Sequence, residues 1–168
     1  MITAQQIIDA LRLQPHPKEG GYFVESYRSL ESIPRGTLPD RYTGDRSFGT
    51  AIYYLLTPDS FSAMHRLPTD EIFHFYLGDP VEMLQLWPDG TARAIILGSD
   101  ILDGMRPQLV VPAGVWQGAR LRGGGRFALL GTTMAPGFDY ADYETGERDT
   151  LLRLYSNFEE IIRALTRE

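Results

Sequence analysis

Two histidines and a glutamate stand close together in residues 62–78, the stretch whose residue types could best carry out chemistry. His65 and Glu71 flank a Pro-Thr-Asp sequence at 68–70 that is typical of a turn. The β-branched and aromatic residues that follow the turn predict a strand. The turn would bring the His65 imidazole close to the Glu71 carboxylate, where the pair could bind a metal ion or exchange a proton with a substrate.

Side chains alternate between the two faces of a strand, and this alternation decides which residues accompany Glu71. Phe73 shares the face of Glu71, so both would border an interior site. His74 falls on the opposite face, and we expect it to point away from the cavity, towards sheet packing or a subunit interface. A bulge close to residue 70 would reverse this assignment.

The same segment resembles the first sequence motif of the cupin superfamily, in which a His-x-His pair precedes a glutamate and then a glycine. His65, Glu71 and Gly78 keep the spacing of that motif, whereas Leu67 stands at the second histidine position. The second cupin motif, Pro-x-Gly-x-x-His, resembles PAGVWQ at 112–117. Gln117 replaces its histidine, so two of the four usual metal-ligand positions are altered.

A closer resemblance links the chain to a cupin subfamily of unknown function, the cupin family 5 type. The segments HRLPTDEIFHFYLGDP, VPAGVWQ and APGFDYADYE carry this resemblance, which extends over about residues 16–143. It implies an all-β fold, the cupin double-stranded β-helix or jelly-roll barrel. The short strands and regular turn signals of the sequence independently predict a β-sandwich or barrel.

Helical signals are confined to the two ends of the chain. Residues 3–13 and 157–166 have apolar residues at helical spacing, and Thr3 with Gln6 resembles a capping box. The 168 residues are therefore expected to form a single cupin domain, 1–168, with short terminal helices. Residues 29–47 are long for a loop and predict a functional flap or an interface arm.

The predicted site lies inside the barrel and combines a base, a carboxylate and phenols. We assign catalytic roles to His65, Glu71 and Tyr76. The residues expected to contact substrate are Gln117, Trp116, Phe73, Tyr53 and Tyr140. Sequence alone does not decide which tyrosine faces the cavity. His16 is expected at the surface, Glu25 is either an exposed edge residue or a site carboxylate, and residues 138–144 suit a cover over the site.

The resemblance suggests three functions. Cupins that epimerise dTDP-linked keto sugars work without metal, with a histidine base and a tyrosine acid, and we expect an isomerase or epimerase acting on a sugar-like or keto compound. A non-catalytic cupin that binds a carbohydrate-like ligand is the first alternative. A metal-dependent dioxygenase is the second. No cofactor is expected, although a weakly bound divalent metal on His65, Glu71 and Gln117 stays open.

Bulk properties narrow the range of partners. The net charge of −6 argues against nucleic acid and anionic membranes, and no apolar run approaches the ~20 residues of a membrane span. Cysteine is absent, so disulfides and thiolate catalysis are excluded. The start of the sequence lacks signal-peptide features, and we expect a cytoplasmic protein. We also expect a small-molecule ligand, including a sugar nucleotide, and a homodimer formed through the apolar strand at 22–28.

Overall fold

The computed structural model describes residues 2–167, so Met1 and Glu168 of the predicted 1–168 domain lie outside the described part. The backbone is mostly β, with short helices at both ends, as the sequence predicts. The strands are β1 (Gln14–Pro15), β2 (Tyr22–Arg28), β3 (Ser32–Ile33), β4 (Arg46–Ser47), β5 (Thr50–Leu56), β6 (Phe61–Arg66), β7 (Glu71–Gly78), β8 (Val81–Leu86), β9 (Ala92–Leu97), β10 (Gln108–Val111), β11 (Trp116–Leu121), β12 (Ala128–Met134) and β13 (Glu144–Thr145). The α-helices are α1 (Ala4–Leu11), α2 (Arg148–Leu154) and α3 (Glu159–Ala164).

Two antiparallel sheets form the predicted jelly roll. One has the strand order β1-β2-β5-β12-β7-β10, and the other has the order β13-β6-β11-β8-β9. Inward-facing residues such as Tyr54, Phe73 and Leu130 of the first sheet pack with Met83 and Ala119 of the second. This apolar core fills one end of the barrel. At the other end, the inward positions of β5, β7 and β12 border a cavity instead.

The helices pack on the outer faces of the sheets. Thr3 and Gln6 form the predicted capping box at the start of α1, with the Thr3 N–H donating to Gln6 Oε1 at 2.9 Å. Ile7 of α1 then packs with residues on the outer face of the first sheet. Helices α2 and α3 cover the second sheet, where Leu151 and Ile162 are fully buried. No helix within residues 2–167 is long and apolar enough to cross a membrane.

Two β-bulges change which side chains face the cavity. In β2 the register shifts between Glu25 and Tyr27, so Glu25 and Arg28 face inward, whereas Tyr27 is 57% exposed. In β6 the register against β11 also shifts between Ser62 and His65, which allows both of these side chains to face Glu19. Without the bulges, regular alternation would have placed one residue of the pair Glu25 and Arg28, and one of the pair Ser62 and His65, on the outer face of its sheet.

The long segment at 29–47 is anchored to the loop that follows β12. Arg46 donates to both carboxylate oxygens of Asp142, at 2.8 and 2.5 Å, and each side chain is only 3% exposed. Tyr42 is also buried and its hydroxyl lies 2.7 Å from Thr69 Oγ1, at the turn before β7. The segment therefore holds both the turn and the loop that border the cavity.

We predict that a second copy of the chain pairs with the open part of β2. Strand β1 has two residues and pairs only with Tyr22 and Phe23, and open strand edges invite pairing. Sedimentation at micromolar concentration should show a dimer, and Tyr27→Lys should shift it towards monomer. Leu102→Lys, at an exposed turn on another face, should leave the dimer unchanged. A monomeric native protein at that concentration would contradict the prediction.

Candidate active site

A cavity of about 230 Å³ lies between the sheets beside the apolar core. Inward-facing residues of β2, β5, β6, β7 and β12 form its walls, and residues before β2 and after β12 complete the lining. Phe138, Asp139, Tyr140 and Tyr143 all border the cavity, as expected for a loop that covers the site. The Phe138 N–H donates to Thr50 Oγ1 at 2.9 Å, which holds this loop against β5.

His65 presents a free nitrogen to the cavity. Its side chain is 2% exposed, and Nδ1 lies 2.8 Å from the carbonyl oxygen of Ala63. Because a carbonyl can only accept, Nδ1 carries the proton and Nε2 of the neutral ring keeps its lone pair. Nε2 faces Glu19 Oε2 at 4.0 Å, which is longer than a hydrogen bond. The arrangement suits a general base whose ring is fixed by the backbone.

Tyr143 provides a protonated hydroxyl next to His65. Its ring stacks on the His65 ring, with centroids 4.9 Å apart and an interplanar angle of 14°. Burial raises the pKa of the Tyr143 phenol, and the charge of Glu19 raises it further. The buried hydroxyl has no hydrogen-bond partner among residues 2–167. It is therefore a donor that is available to a ligand.

Glu71 is the second predicted catalytic residue that borders the cavity. Gln117, 1% exposed, donates its Nε2–H to Glu71 Oε2 at 2.7 Å, and Glu71 is 7% exposed. Burial raises the pKa of the Glu71 carboxyl, and the charge of Glu19 adds to the rise. His65, Thr132 and Gln117 oppose this rise without cancelling it. Glu71 thus keeps its proton to a higher pH than a free glutamate and can donate it in a hydrogen bond.

We expect the pH dependence of stability to report this raised pKa. Below the ordinary glutamate value of 4.5 the folded and unfolded states both bind the proton. As the pH rises from this value towards the higher pKa of Glu71 in the folded protein, the unfolded state loses the Glu71 proton first. The free energy of unfolding of the native protein should therefore fall relative to that of Glu71→Gln. Urea unfolding over a pH series measures the difference. Glu160→Gln, on the exposed face of α3, is the control, and parallel curves for native and Glu71→Gln protein would contradict the prediction.

His16 and Glu19 belong to the site, although the sequence placed His16 at the surface and did not single out Glu19. The His16 side chain is 5% exposed and packs edge-on against Phe23, with centroids 4.6 Å apart. Its Nδ1 accepts the Glu19 N–H at 2.8 Å, so Nε2 carries the proton of the neutral ring. The expectation was wrong because the Gly-Gly turn at 20–21 folds residues 16–19 back over the barrel end.

Glu19 lies at the centre of the polar side of the cavity. Ser62 Oγ donates to its Oε1, and its Oε2 faces His16 Nε2 at 3.9 Å and His65 Nε2 at 4.0 Å. A His-x-x-Glu sequence before a glycine turn, within the stretch that resembles cupins, is the signal that could have identified it.

Glu25, left open by the sequence, also borders the cavity. It binds Arg28 through two hydrogen bonds of 2.9 and 2.7 Å, and Arg28 also donates to the Phe138 carbonyl at 3.1 Å. Tyr140, predicted to contact substrate, lines the cavity and packs against Phe138 with centroids 5.0 Å apart. These residues form the more exposed rim of the site.

Five predicted site residues do not border the cavity, and one of them is Gln117, which contacts Glu71 but is not part of the lining. Tyr76 is 49% exposed and contacts Tyr53 on the outer face of the first sheet, because alternation along β5 and β7 turns both rings outward. Trp116 packs on the outer face of the second sheet with the residues of α2 and α3. Phe73 does face inward, but one position deeper than Glu71, within the apolar core. His74 lies on the outer face as expected, with Nε2 3.0 Å from Thr133 Oγ1.

The residues at the cupin metal-ligand positions do not fit a transition-metal site. Leu67 offers no donor atom, and Gln117 is not part of the cavity lining and uses its amide N–H to contact Glu71. Within the described part of the chain, no group of three or more His, Cys, Asp or Glu side chains is arranged to hold a metal ion. The absence of a tightly bound metal stays a prediction, which elemental analysis of purified protein would test.

The antiparallel jelly roll and its enclosed polar cavity define the cupin class of proteins. The chain belongs to the family described as "Cupin superfamily (DUF985)", whose model matches residues 5–146. The resemblance inferred from the sequence motifs is therefore confirmed.

Relatives of this chain extend over most of its length. The uncharacterized protein YML079W of Saccharomyces cerevisiae is 33% identical over 149 residues, covering 84% of this chain and 74% of the yeast protein. A hypothetical protein from Leishmania major is 31% identical with a TM-score of 0.89, covering 99% and 100% of the two chains. Protein SO0799 from Shewanella oneidensis is 32% identical with a TM-score of 0.87, covering 99% of each chain.

More distant structures share the fold alone. A dTDP sugar isomerase from Desulfovibrio desulfuricans is 16% identical with a TM-score of 0.52, covering 76% of this chain and 85% of that one. Oxalate decarboxylase from Bacillus subtilis is 14% identical with a TM-score of 0.54, covering 91% and 37%. These likenesses show a shared fold and assign no reaction to the chain.

Proposed function

We propose that the protein is an isomerase that moves a proton between neighbouring carbons of a small hydroxy-carbonyl compound, such as a sugar. The observation that carries the proposal is the buried pair of rings in the cavity, His65 and Tyr143. One ring offers an unprotonated nitrogen and the other a hydroxyl that keeps its proton. Proton abstraction beside a carbonyl needs such a base and such a donor in an apolar enclosure.

In the proposed reaction His65 Nε2 takes the proton from the carbon next to the carbonyl. The electron pair of the broken C–H bond forms a carbon–carbon double bond, and the carbonyl π electrons move to its oxygen. The Tyr143 hydroxyl donates a hydrogen bond to that developing enolate oxygen, and the Glu71 carboxyl, whose pKa is raised by burial, donates a second one when it holds its proton. The hydroxyl proton on the adjacent carbon then shifts to the enolate oxygen, so that the carbonyl can re-form at the adjacent carbon. The electron pair of the carbon–carbon double bond takes the proton from the His65 imidazolium at the former carbonyl carbon, and the neutral imidazole is regenerated.

The stacked geometry favours isomerisation over epimerisation. An epimerase must remove and return a proton on opposite faces of one carbon, which requires proton-transfer groups on both sides of the ligand. The His65 and Tyr143 rings stack with centroids 4.9 Å apart, at 14° to each other, and we infer from this proximity that both rings contact the same side of a bound molecule. Transfer to a neighbouring carbon on that side needs only one base.

A solvent-exchange assay tests the proposal. The protein is incubated in deuterated water with aldoses and ketoses, and uptake of deuterium beside the carbonyl is followed by NMR. Tyr143→Phe should slow the uptake strongly, because the hydroxyl that stabilises the enolate is lost. Tyr76→Phe removes a hydroxyl from the outer face of the same barrel and should have no effect.

The outcomes separate the two leading classes of function. Deuterium uptake that depends on Tyr143 supports the isomerase. Saturable binding of a sugar without any uptake would instead identify a cupin that binds its ligand without turnover, and would overturn the proposed reaction.

A further inference from the structure

Negative groups outnumber the available positive groups around the cavity. Glu19, Glu25 and Asp139 all contribute carboxylates to the lining, whereas Arg28 is the only Lys or Arg side chain among the described lining residues. Its guanidinium is already bound by both oxygens of Glu25 and by the Phe138 carbonyl. An anionic ligand such as a phosphate ester would therefore find carboxylates and no free cation.

Two further cations approach the site from outside without entering it. Lys18 Nζ lies 5.4 and 5.5 Å from the ring centroids of Tyr140 and Tyr143. Lys18 and Arg167 both border a separate depression on the other side of these residues. Neither side chain lines the cavity, although the charge of Arg167 adds to the lowering of the His16 pKa and opposes the rise of the Tyr143 pKa.

Glu19 is a largely buried carboxylate, and within residues 2–167 no Lys or Arg side chain forms an ion pair with its second oxygen. Its side chain is 12% exposed, and Oε2 faces two imidazole nitrogens at distances beyond hydrogen-bonding range. Burial lowers the pKa of His16, so this ring stays neutral at pH 7 and does not balance the charge. The raised pKa of Glu71 leaves that neighbour able to keep its proton. A buried charge is costly unless it is paired, which points to a cation supplied by the ligand.

The walls and size of the cavity suit a small ligand with a cationic group. The rings of His16, Phe23, Phe138, Tyr140 and Tyr143 surround the space next to Glu19, and aromatic faces attract ammonium groups. The volume of about 230 Å³ is below the roughly 300–1,000 Å³ of pockets for drug-sized ligands. It suits one sugar ring better than a sugar nucleotide.

We infer that the ligand of this cavity is a compact amine, of the amino-sugar type, whose ammonium group binds Glu19 Oε2. The inference rests on the proposed function, because it places the ammonium-bearing molecule beside the same His65 and Tyr143. Glu19 is then the residue that determines specificity, and the cavity rejects phosphorylated sugars.

Titration calorimetry with a matched series of sugars tests this inference. D-glucosamine carries the ammonium, D-glucose and N-acetyl-D-glucosamine lack the charge, and D-glucosamine 6-phosphate adds an anion. Glucosamine should bind about 10- to 100-fold more tightly than glucose, since a hydrogen bond to a charged group contributes that much. The acetylated sugar should resemble glucose, and the phosphate should weaken binding.

Variants identify the residue responsible. Glu19→Gln should remove the preference for glucosamine while keeping an acceptor for Ser62, and its thermal unfolding shows whether the fold is retained. Glu160→Gln makes the same charge change on the exposed face of α3 and should keep the preference. If Glu19→Gln does not fold, the ranking of the four sugars by the native protein still tests the preference for an amine.

Three results would overturn the inference: no binding of glucosamine, equal binding of glucosamine and glucose, or tighter binding of the phosphate. A preference that persists in folded Glu19→Gln would also overturn the role of this residue. Binding is measured separately from deuterium exchange. Preference without exchange would refute the isomerase alone, and exchange without preference would refute the amine specificity alone.

Discussion

Replacing His65 by asparagine is expected to lower the rate of deuterium exchange by about 10²–10⁴-fold, the usual contribution of a general base. The asparagine amide can still donate to the Ala63 carbonyl, which Nδ1 of His65 binds at 2.8 Å. It cannot supply the lone pair of Nε2. The loss should therefore appear in kcat, with ligand affinity and thermal unfolding changed little.

A variant of Glu71 provides a check on the assignment of His65 as the general base. Glu71→Gln keeps the contact with Gln117 but replaces the acidic proton of the Glu71 carboxyl by a weaker amide N–H donor for the enolate oxygen. We expect it to slow exchange as well, and the double variant with His65→Asn should cost little more than either change alone, because groups acting in one step are strongly non-additive. Unchanged exchange in both single variants would move the reaction away from this end of the cavity.

Replacing Arg46 by methionine is expected to lower the free energy of unfolding by about 3–5 kcal/mol. Arg46 and Asp142 are each 3% exposed and bind through two hydrogen bonds. Without the guanidinium, the Asp142 carboxylate is left buried and uncompensated, and breaking a buried pair on one side has an effect of this size. Urea unfolding monitored by circular dichroism measures it.

A comparison with an exposed ion pair tests whether the loss of stability in Arg46→Met comes from burial of the pair rather than from charge pairing itself. Arg66 and Glu144 form an equally short pair, 2.7 and 2.8 Å, close to the same loop but largely exposed. Glu144→Gln should cost at most about 1 kcal/mol, as for other surface pairs. Replacing both buried partners, Arg46→Met with Asp142→Leu, should recover much of the stability. Equal effects at the two pairs would contradict the explanation.

The stability of this pair also bears on the site. Asp142 lies one residue before Tyr143, and Arg46 connects it to the segment at 29–47. In an Arg46→Met protein that remains folded, we expect weaker stacking of Tyr143 on His65 and a corresponding loss of exchange activity. The Glu144→Gln protein should keep its activity.

Local patterns in the sequence determined the fold class and one half of the site. Alternating strands, turn signals and capping residues depend on neighbours within a few positions, so the barrel and terminal helices were predictable. His65 and Glu71 were predictable for the same reason, because a single turn separates them and motif spacing brings both to the barrel interior. The outward position of His74 followed from alternation alone.

The tertiary structure decided the other half of the site. Glu19 and His16 precede the barrel in the sequence, and Tyr143 follows its last long strand, so their approach to His65 depends on how the chain closes over the barrel end. Bulges and long-range packing determine such contacts, and periodicity does not reveal them. Tyr76 was assigned to catalysis from residue type, yet strand alternation and sheet order left it outside. The sequence therefore determined which strand carries His65, whereas only the folded chain determined which tyrosine and which carboxylate stand beside it.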